Sequence, residues 1–316
     1  MTDSVVLYEE KNQIAYITIN RPKALNAINH DVIAGLEQAF KQASDDDSVK
    51  GIVIQGSGEK AFVAGADLKF FVENVKAKTV DKIVDFTRQG HELLRALETS
   101  KKPTIAIVDG LSLGGGSELA LACQYIIATD KGSFGFPESG LGIYPGYGGL
   151  LRTNKFVGPE LTKYYGLTGE NISAADASEM GIVDALVPAD EVEKTIEKLV
   201  AQGVPADKYQ AHPLADKYQE MVTAFKAENI EQTLAGQAVE GVSPEFAAKV
   251  AKKVGYKSPN SVKVIQELVD AQTPASIDEG IQIELGQLSS MFGNPEAEEG
   301  LNAVIEGRRP DFSAFK

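Results

Sequence analysis

The chain has 316 residues, 43 % of them hydrophobic, and a formal net charge of −14 at pH 7. That length accommodates one large domain or two ordinary ones around a sizeable core, while the acidic balance argues against nucleic acid or an anionic membrane as partner, because both need clustered Lys and Arg. No apolar run approaches the roughly 18 residues of a membrane span, the opening Met1–Glu10 lacks the basic-then-apolar order of a secretory signal, and the single Cys123 leaves no internal disulfide, as in a reducing cytoplasm.

In chain order, Val5–Tyr8 and Ile14–Ile19 read as short strands around the turn-forming Glu10-Lys11-Asn12. Asn29 is placed to cap a helix through Phe40, with Ile33, Leu36, Ala39 and Phe40 at helical spacing, and Asp45-Asp46-Asp47 closes that element. Gly51–Gln55 reads as a strand, and Val80 to Leu97 as a helix with Ile83, Phe86, Gly90, Leu93, Leu94 and Leu97 on one face. Thr104–Val108 has the apolar pattern of a strand buried on both faces. It runs into Gly110 and the triplet Gly114-Gly115-Gly116, where a helix begins, and Tyr125–Ala128 is the next strand. Ala174–Met180 and Glu191–Ala201 are helical, and the chain beyond Pro205 is predominantly so, with breaks at Gly203, Pro213, Gly241, Ser258-Pro259 and Thr273-Pro274. Ala-Asp-Lys-Tyr-Gln occurs at 206–210 and again at 215–219, which reads as a local duplication within a helical linker, too short for a solenoid. The expected organisation is an α/β core over residues 1–195 and a helical region over 196–316 that packs on the core or bridges subunits.

Three segments carry chemistry: Asn20–Ala27 directly after a strand, Phe62–Lys69, and the stretch Gly110–Ala120 continued by Phe134–Glu138 and Gly142–Gly146. A strand followed by Gly114-Gly115-Gly116 and an apolar helix lets a ligand approach bare backbone N–H groups at a helix N-terminus. Such groups polarise a carbonyl and stabilise an enolate oxyanion; the same glycines equally serve a tight turn or close helix packing. The triplet is neither a Walker phosphate loop nor a dinucleotide fingerprint. Glu118 falls in the first helical turn, where the dipole favours its ionised form, and is either a helix-stabilising acid or a reactive one. Glu138 follows Pro137 in an otherwise apolar stretch, and reads either as a turn acid facing water or as the second member of an acid–base pair. The three histidines, His30, His91 and His212, show no ligand spacing, so no metal is expected.

The three segments in this order resemble the crotonase (enoyl-CoA hydratase/isomerase) family, from about residue 5 to 200, then at Asn294–Gly300 and in the tail Glu306–Phe312. The resemblance implies an α/β fold, a spiral of strand–strand–helix repeats capped by a helical trimerisation region, and a homotrimer or dimer of trimers. It implies an oxyanion hole from the backbone N–H groups of Ala66 and Gly115. It also implies a water held between Glu118, which activates it for addition to Cβ, and Glu138, which delivers a proton to Cα of a trans-2-enoyl-CoA thioester, giving a 3-hydroxyacyl-CoA. CoA is part of the substrate and no separate cofactor is implied. The nucleotide loops correspond to Lys23, Ala24 and Leu25, and to Ala64, Asp67, Leu68 and Lys69, with the adenine against Ala64 and Leu68. Arg21, Lys23, Lys60 and Lys69 flank these loops and are candidates for the local cations that would offset the acidic overall field for an anionic thioester, each reading equally as a solvated surface charge. Phe70, Phe71, Tyr144 and Tyr147 are candidates for the acyl pocket, the two phenylalanines being equally suited to the core.

Relatives that only shift a double bond usually lack the first glutamate, and hydrolases of 3-hydroxyisobutyryl-CoA typically carry glycine there. The presence of both Glu118 and Glu138 therefore favours a hydro-lyase over an isomerase or thioester hydrolase on the same fold. Three departures stand out: tyrosines at 144 and 147, Val304 and Gly307 where hydratases often have phenylalanine and lysine for a neighbour-subunit contact to the nucleotide, and a longer segment from about 200 to 275. Within it Ser258-Pro259-Asn260-Ser261-Val262-Lys263 is similar to the hydrolase branch.

Overall fold

The structure, a computed structural model, describes residues 4–210 and 212–316. Ten strands follow in chain order: β1 (Val6–Lys11), β2 (Ile14–Ile19), β3 (Gly51–Gly56), β4 (Ala61–Ala64), β5 (Thr104–Val108), β6 (Leu111–Leu113), β7 (Tyr125–Ala128), β8 (Ser133–Gly135), β9 (Ile172–Ser173) and β10 (Ala185–Leu186). The chain forms two compact units. The first takes the chain up to Asp67, then Phe86–Phe134 and Ile172–Gln210; the second takes Leu68–Asp85, Gly135–Asn171 and the chain from His212 onward.

In the first unit the larger sheet has the order β1-β2-β3-β5-β7-β10. Only β1 runs antiparallel to its neighbour; β2, β3, β5 and β7 pair parallel, with Tyr16 opposite Val53, Val53 opposite Ile105 and Ile105 opposite Tyr125. One face of this sheet packs Ile14, Tyr16, Val53, Ile105, Ile107, Tyr125 and Ile127 against Ile196 and Leu199 of the helix Val192–Gln202. Every residue of β5 is buried, as its uninterrupted apolar run requires. The helix His30–Asp45 starts where Asn29 accepts a hydrogen bond from the Val32 N–H at 3.0 Å and ends at Asp46, inside the acidic triplet; it buries Ile33, Leu36 and Ala39 of the expected face together with Val32 and Ala43, while Phe40 is half-buried. The helix Val80–Glu98 likewise follows its periodicity. The smaller sheet, β4-β6-β8-β9, is built from runs of two to four residues that carry little sequence signal.

The second unit is helical. Pro244–Val254, Pro259–Gln272 and Pro295–Ile305 each begin with proline in the first turn behind a capping Ser243, Ser258 or Asn294. Ile277–Phe292 opens with a Ser276/Glu279 capping box. The long helix Gly149–Thr168 is broken at Gly158 (φ 80°) before Pro159.

Two expectations fail. Glu10 and Lys11 do not turn but extend β1, because they pair with Ala15 and Ile14, and the hairpin turns at Asn12 and Gln13 (φ 52° and 63°). The first Ala-Asp-Lys-Tyr-Gln copy does not lie in a helical linker, since residues 203–210 and 212–215 are non-helical, whereas the second passes through a 3-10 turn at Asp216–Tyr218 into the helix Gln219–Phe225. Gly203, Pro205 and Pro213 interrupt the ladder, and tertiary contacts then differ between the copies. Tyr209 donates to Glu98 and Lys208 to the Leu121 carbonyl in the first unit, whereas Tyr218 of the second copy is buried.

Candidate active site

The local geometry of the first unit begins with the parallel pair β4 and β6, in which Ala64 lies opposite Leu113. Each strand then turns through a left-handed glycine, Gly65 (φ 87°) and Gly114 (φ 49°), and the next residues are Ala66 and Gly115. Both positions are thus two residues beyond one register pair. Ala66 forms a parallel bridge with Ile28, whose N–H donates to Gly65 O at 2.9 Å and whose carbonyl accepts from Asp67 N–H at 2.8 Å. A parallel bridge bonded through the flanking residues directs the N–H of Ala66 itself away from Ile28. Gly115 opens the helix Gly115–Ala122, so its N–H has no acceptor within that helix.

The helix is held tightly against the strand. A Cβ on Gly116 would sit 1.9 Å from the carbonyl oxygen of Val63, and the Ser117 hydroxyl donates to Ser112 O at 2.6 Å. Glu118, 2 % exposed, lies in the same first turn, its N–H bonded to Gly114 O at 3.0 Å. The Ala66 and Gly115 positions and the helix turn that carries Glu118 therefore all follow one register pair, and backbone donors at a helix N-terminus are able to stabilise an oxyanion.

Within the first unit the loop Lys23–Leu25 meets Ala64. Lys23 and Ala24 form a 3-10 turn, Leu25 is left-handed, and its carbonyl accepts from the Ala64 N–H at 3.0 Å. Lys23 and Leu25 line a cleft of about 450 Å³ that also contains Lys60. Asp67 pairs with Arg21 at 3.0 Å, so this arginine is engaged within the protein. Asn26 is 1 % exposed; its amide donates to Ser57 O and Ala61 O at 2.9 and 3.0 Å and accepts from Arg21 N–H at 3.0 Å. It ties the first loop to β4, and although it lies in the first motif its role is invisible in sequence because it depends on partners more than 30 positions away.

In the second unit Leu68 and Lys69 start the helix Leu68–Lys76, Lys69 exposed. Phe71 is buried, edge-on to Phe70 and stacked on Phe292 at 5.4 Å. Tyr144 and Tyr147 are buried, the Tyr144 hydroxyl donating to Glu284 O at 2.7 Å. Glu138 sits in the 3-10 turn Pro137–Leu141 and is 8 % exposed, so it is not a turn acid facing water. Its Oε2 has no hydrogen-bond partner. Burial pushes its carboxyl up to about 8, against the opposing pull of a bond from its own backbone and of the Lys257 ammonium. A carboxyl with this affinity holds a proton near neutral pH and can donate it. Among the described residues no three His, Cys, Asp or Glu side chains group as a metal site; His30 stacks on Phe86 with ring centres 4.3 Å apart.

A family profile described as enoyl-CoA hydratase/isomerase matches residues 14–314, nearly the whole chain. The chain belongs to the enoyl-CoA hydratase/isomerase family. It is 39 % identical over 197 residues to a crotonyl-CoA hydratase of Syntrophomonas wolfei, covering 62 % of this chain and 74 % of that one. It is 33 % identical over 303 residues to a probable mitochondrial enoyl-CoA hydratase of Dictyostelium discoideum, covering 96 % and 88 %, and 29 % identical over 317 residues to a mitochondrial 3-hydroxyisobutyryl-CoA hydrolase of Danio rerio, covering 96 % and 82 %. The solved structure of a carnitinyl-CoA dehydratase from Mycobacterium thermoresistibile superposes with a TM-score of 0.84 at 24 % identity over 99 % of this chain and 93 % of that one. That likeness establishes the expected crotonase-type α/β fold. Among the described residues no helix is long and apolar enough to cross a membrane.

Proposed function

We propose that the protein is an enoyl-CoA hydratase, adding water reversibly and with syn geometry across the double bond of a trans-2-enoyl-CoA. The observation that carries this reading is the corner at which the N–H groups of Ala66 and Gly115, each two residues past the Ala64–Leu113 pair, accompany the buried Glu118. In the proposed mechanism these N–H groups bind the thioester oxygen and draw electron density from Cβ. Glu118 takes a proton from the water that adds there. Glu138, protonated because burial disfavours its charged form, supplies the proton to Cα. A hydrogen-bond donor of this kind contributes about 10²–10³ in rate.

CoA binds in this reading through Lys23, Ala24, Leu25, Ala64, Asp67, Leu68 and Lys69, while Phe70, Phe71, Tyr144 and Tyr147 bound the acyl chain. No cofactor beyond the substrate's own CoA takes part. The same reading has the spiral core over residues 1–195 and the helical region over 196–316 assembling as a homotrimer or dimer of trimers in the cytoplasm. Thioester hydrolysis is the second reading, favoured by the Ser258–Lys263 stretch and by the match of 96 % of this chain to the Danio rerio hydrolase; the acid at position 118 weighs against it. Incubation with crotonyl-CoA, followed by absorbance of the conjugated thioester and by free thiol, separates them. Hydration removes the absorbance without releasing CoA; persistence of the absorbance, or release of CoA in step with its loss, overturns the proposal.

A further inference from the structure

Glu138's short helix is fastened to a turn in the long segment for which the family reading gives no role. Between the helices Pro244–Val254 and Pro259–Gln272, the N–H of the fully buried Ser258 donates to Ser139 O at 3.0 Å. The Ser258 hydroxyl caps the second helix through Ser261 N–H at 2.9 Å and donates to Glu296 Oε2 at 2.5 Å. Ser139 is itself fixed to Leu167 O at 3.3 Å.

The residue before this anchor is Lys257, half-buried, whose ammonium lies between two glycines. A Cβ on Gly140 would stand 3.4 Å from its Nζ, and one on Gly169 (φ 67°) only 2.8 Å from it. Side chains at these positions would crowd the seat, and Gly169 also needs a backbone conformation that other residues adopt at a cost. The other side of Lys257 borders a cleft of about 730 Å³, shared with Lys253, Tyr256, Glu170 and Arg309.

We propose that Lys257 is a positioning residue for Glu138, its ammonium seated between Gly140 and Gly169 and held by the Ser258–Ser139 bond so that it sets how tightly the buried carboxyl keeps its proton. The inference rests on the reading of Glu138 as proton donor. Burial raises the Glu138 carboxyl and lowers the Lys257 ammonium, and each group opposes the other's shift. Glu138 Oε2 has no hydrogen-bond partner; a hydrogen bond from its own backbone and then the Lys257 charge oppose the effect of its burial. Most surrounding charges are engaged elsewhere, and Arg309 lines the same cleft as Lys257. Lys253 and Lys249 both pair with Glu170, which also takes the Tyr164 hydroxyl from the helix Gly149–Thr168. Of the other charges on the elements packed against Glu138, the buried Arg152 donates to Tyr147 O and Gly148 O, Lys155 donates to Ala275 O, Glu296 binds Ser258 and Asn260, Glu299 binds Arg308, Lys163 pairs with Asp270 and Lys263 with Glu267, while Glu160 is half-buried and Glu298 exposed. A general acid works best with a proton affinity matched to the working pH; without Lys257 the burial of Glu138 would overshoot that match.

The experiment titrates Glu138 in the full chain by NMR of carboxyl-labelled glutamate, assigned with Glu138→Gln, in wild type, Lys257→Met and Lys257→Arg. In Lys257→Met the titration is expected to rise by about 1 pH unit, the lower range of what a neighbouring opposite charge exerts, and Lys257→Arg is expected to restore it. The alkaline limb of the pH–rate profile for crotonyl-CoA should move with it. The reciprocal measurement follows Lys257 by labelled-lysine NMR in Glu138→Gln, where its titration should fall, because coupling between two sites acts equally on both. It decides the matter alone if Lys257→Met does not fold. An unmoved Glu138 titration in Lys257→Met, Lys257→Arg behaving like Lys257→Met, or an unmoved Lys257 in Glu138→Gln would each overturn the proposal. Inactivity of wild type towards crotonyl-CoA would instead refute the hydratase reading and leave these titrations interpretable.

Discussion

Replacing Gly116 by alanine tests the corner that the two strands and the helix Gly115–Ala122 build. The added Cβ would lie 1.9 Å from Val63 O, 2.8 Å from Val63 C and 2.9 Å from Val63 Cβ. These are atoms of a fully buried strand residue with no flexible end to swing aside. To reach ordinary contact the helix start must withdraw by roughly 1.5 Å, carrying the Gly115 N–H and Glu118 with it. Overpacking of this kind costs about 1–3 kcal/mol of stability, and a displacement of about 1 Å at reacting groups costs about 10²-fold in rate, or about 2.7 kcal/mol of barrier. The variant should therefore remain folded at 25 °C by circular dichroism, unfold at lower denaturant, and lose about two orders of magnitude in kcat on crotonyl-CoA. A folded Gly116→Ala protein with wild-type kcat would refute the placement of catalytic donors at this corner, whatever its stability.

Glu118→Gln and Glu138→Gln should each lower turnover by about 10²–10⁴, the contribution of one general acid–base group; wild-type turnover from either variant, measured by the same absorbance assay, removes that residue from the mechanism. Glu138 also predicts a pH dependence of stability. Its folded value, pushed up from 4.5 to about 8, means that its contribution is fully present below the lower value and lost as pH rises through the upper one. Denaturation midpoints across that window should fall more steeply in wild type than in Glu138→Gln, and parallel slopes would contradict the buried, protonated state. Gly286, inside the helix Ile277–Phe292, has nothing within 4 Å of where a Cβ would stand. Gly286→Ala should raise stability by about 0.5–1 kcal/mol through the unfolded chain and the helix propensity without changing kcat, and a lower unfolding midpoint would show that the site is crowded.

The parts of this protein that its sequence determined are those set by local periodicity and capping. The apolar run Thr104–Val108 could only be an internal strand, Asn29 had to start a helix, and Ser258-Pro259 and Thr273-Pro274 had to interrupt the helical half. The three motifs likewise pointed to the family that the profile match then showed, because their order resembles it. Strands as short as β6 and β9 escaped notice, since two or three residues carry no period and exist only because a neighbour pairs with them. The duplicated pentapeptide shows the same limit: identical residues, separated by nine positions, take different conformations because their partners differ. Tertiary structure alone decided that Ala66 and Gly115 sit at equivalent distances beyond paired strand ends, that Gly116 admits no side chain, and that Glu138 is buried with Lys257 as its charged neighbour. Each of these depends on a through-space distance between residues far apart in the chain, and proton affinity above all is a property of surroundings that a one-dimensional pattern does not contain.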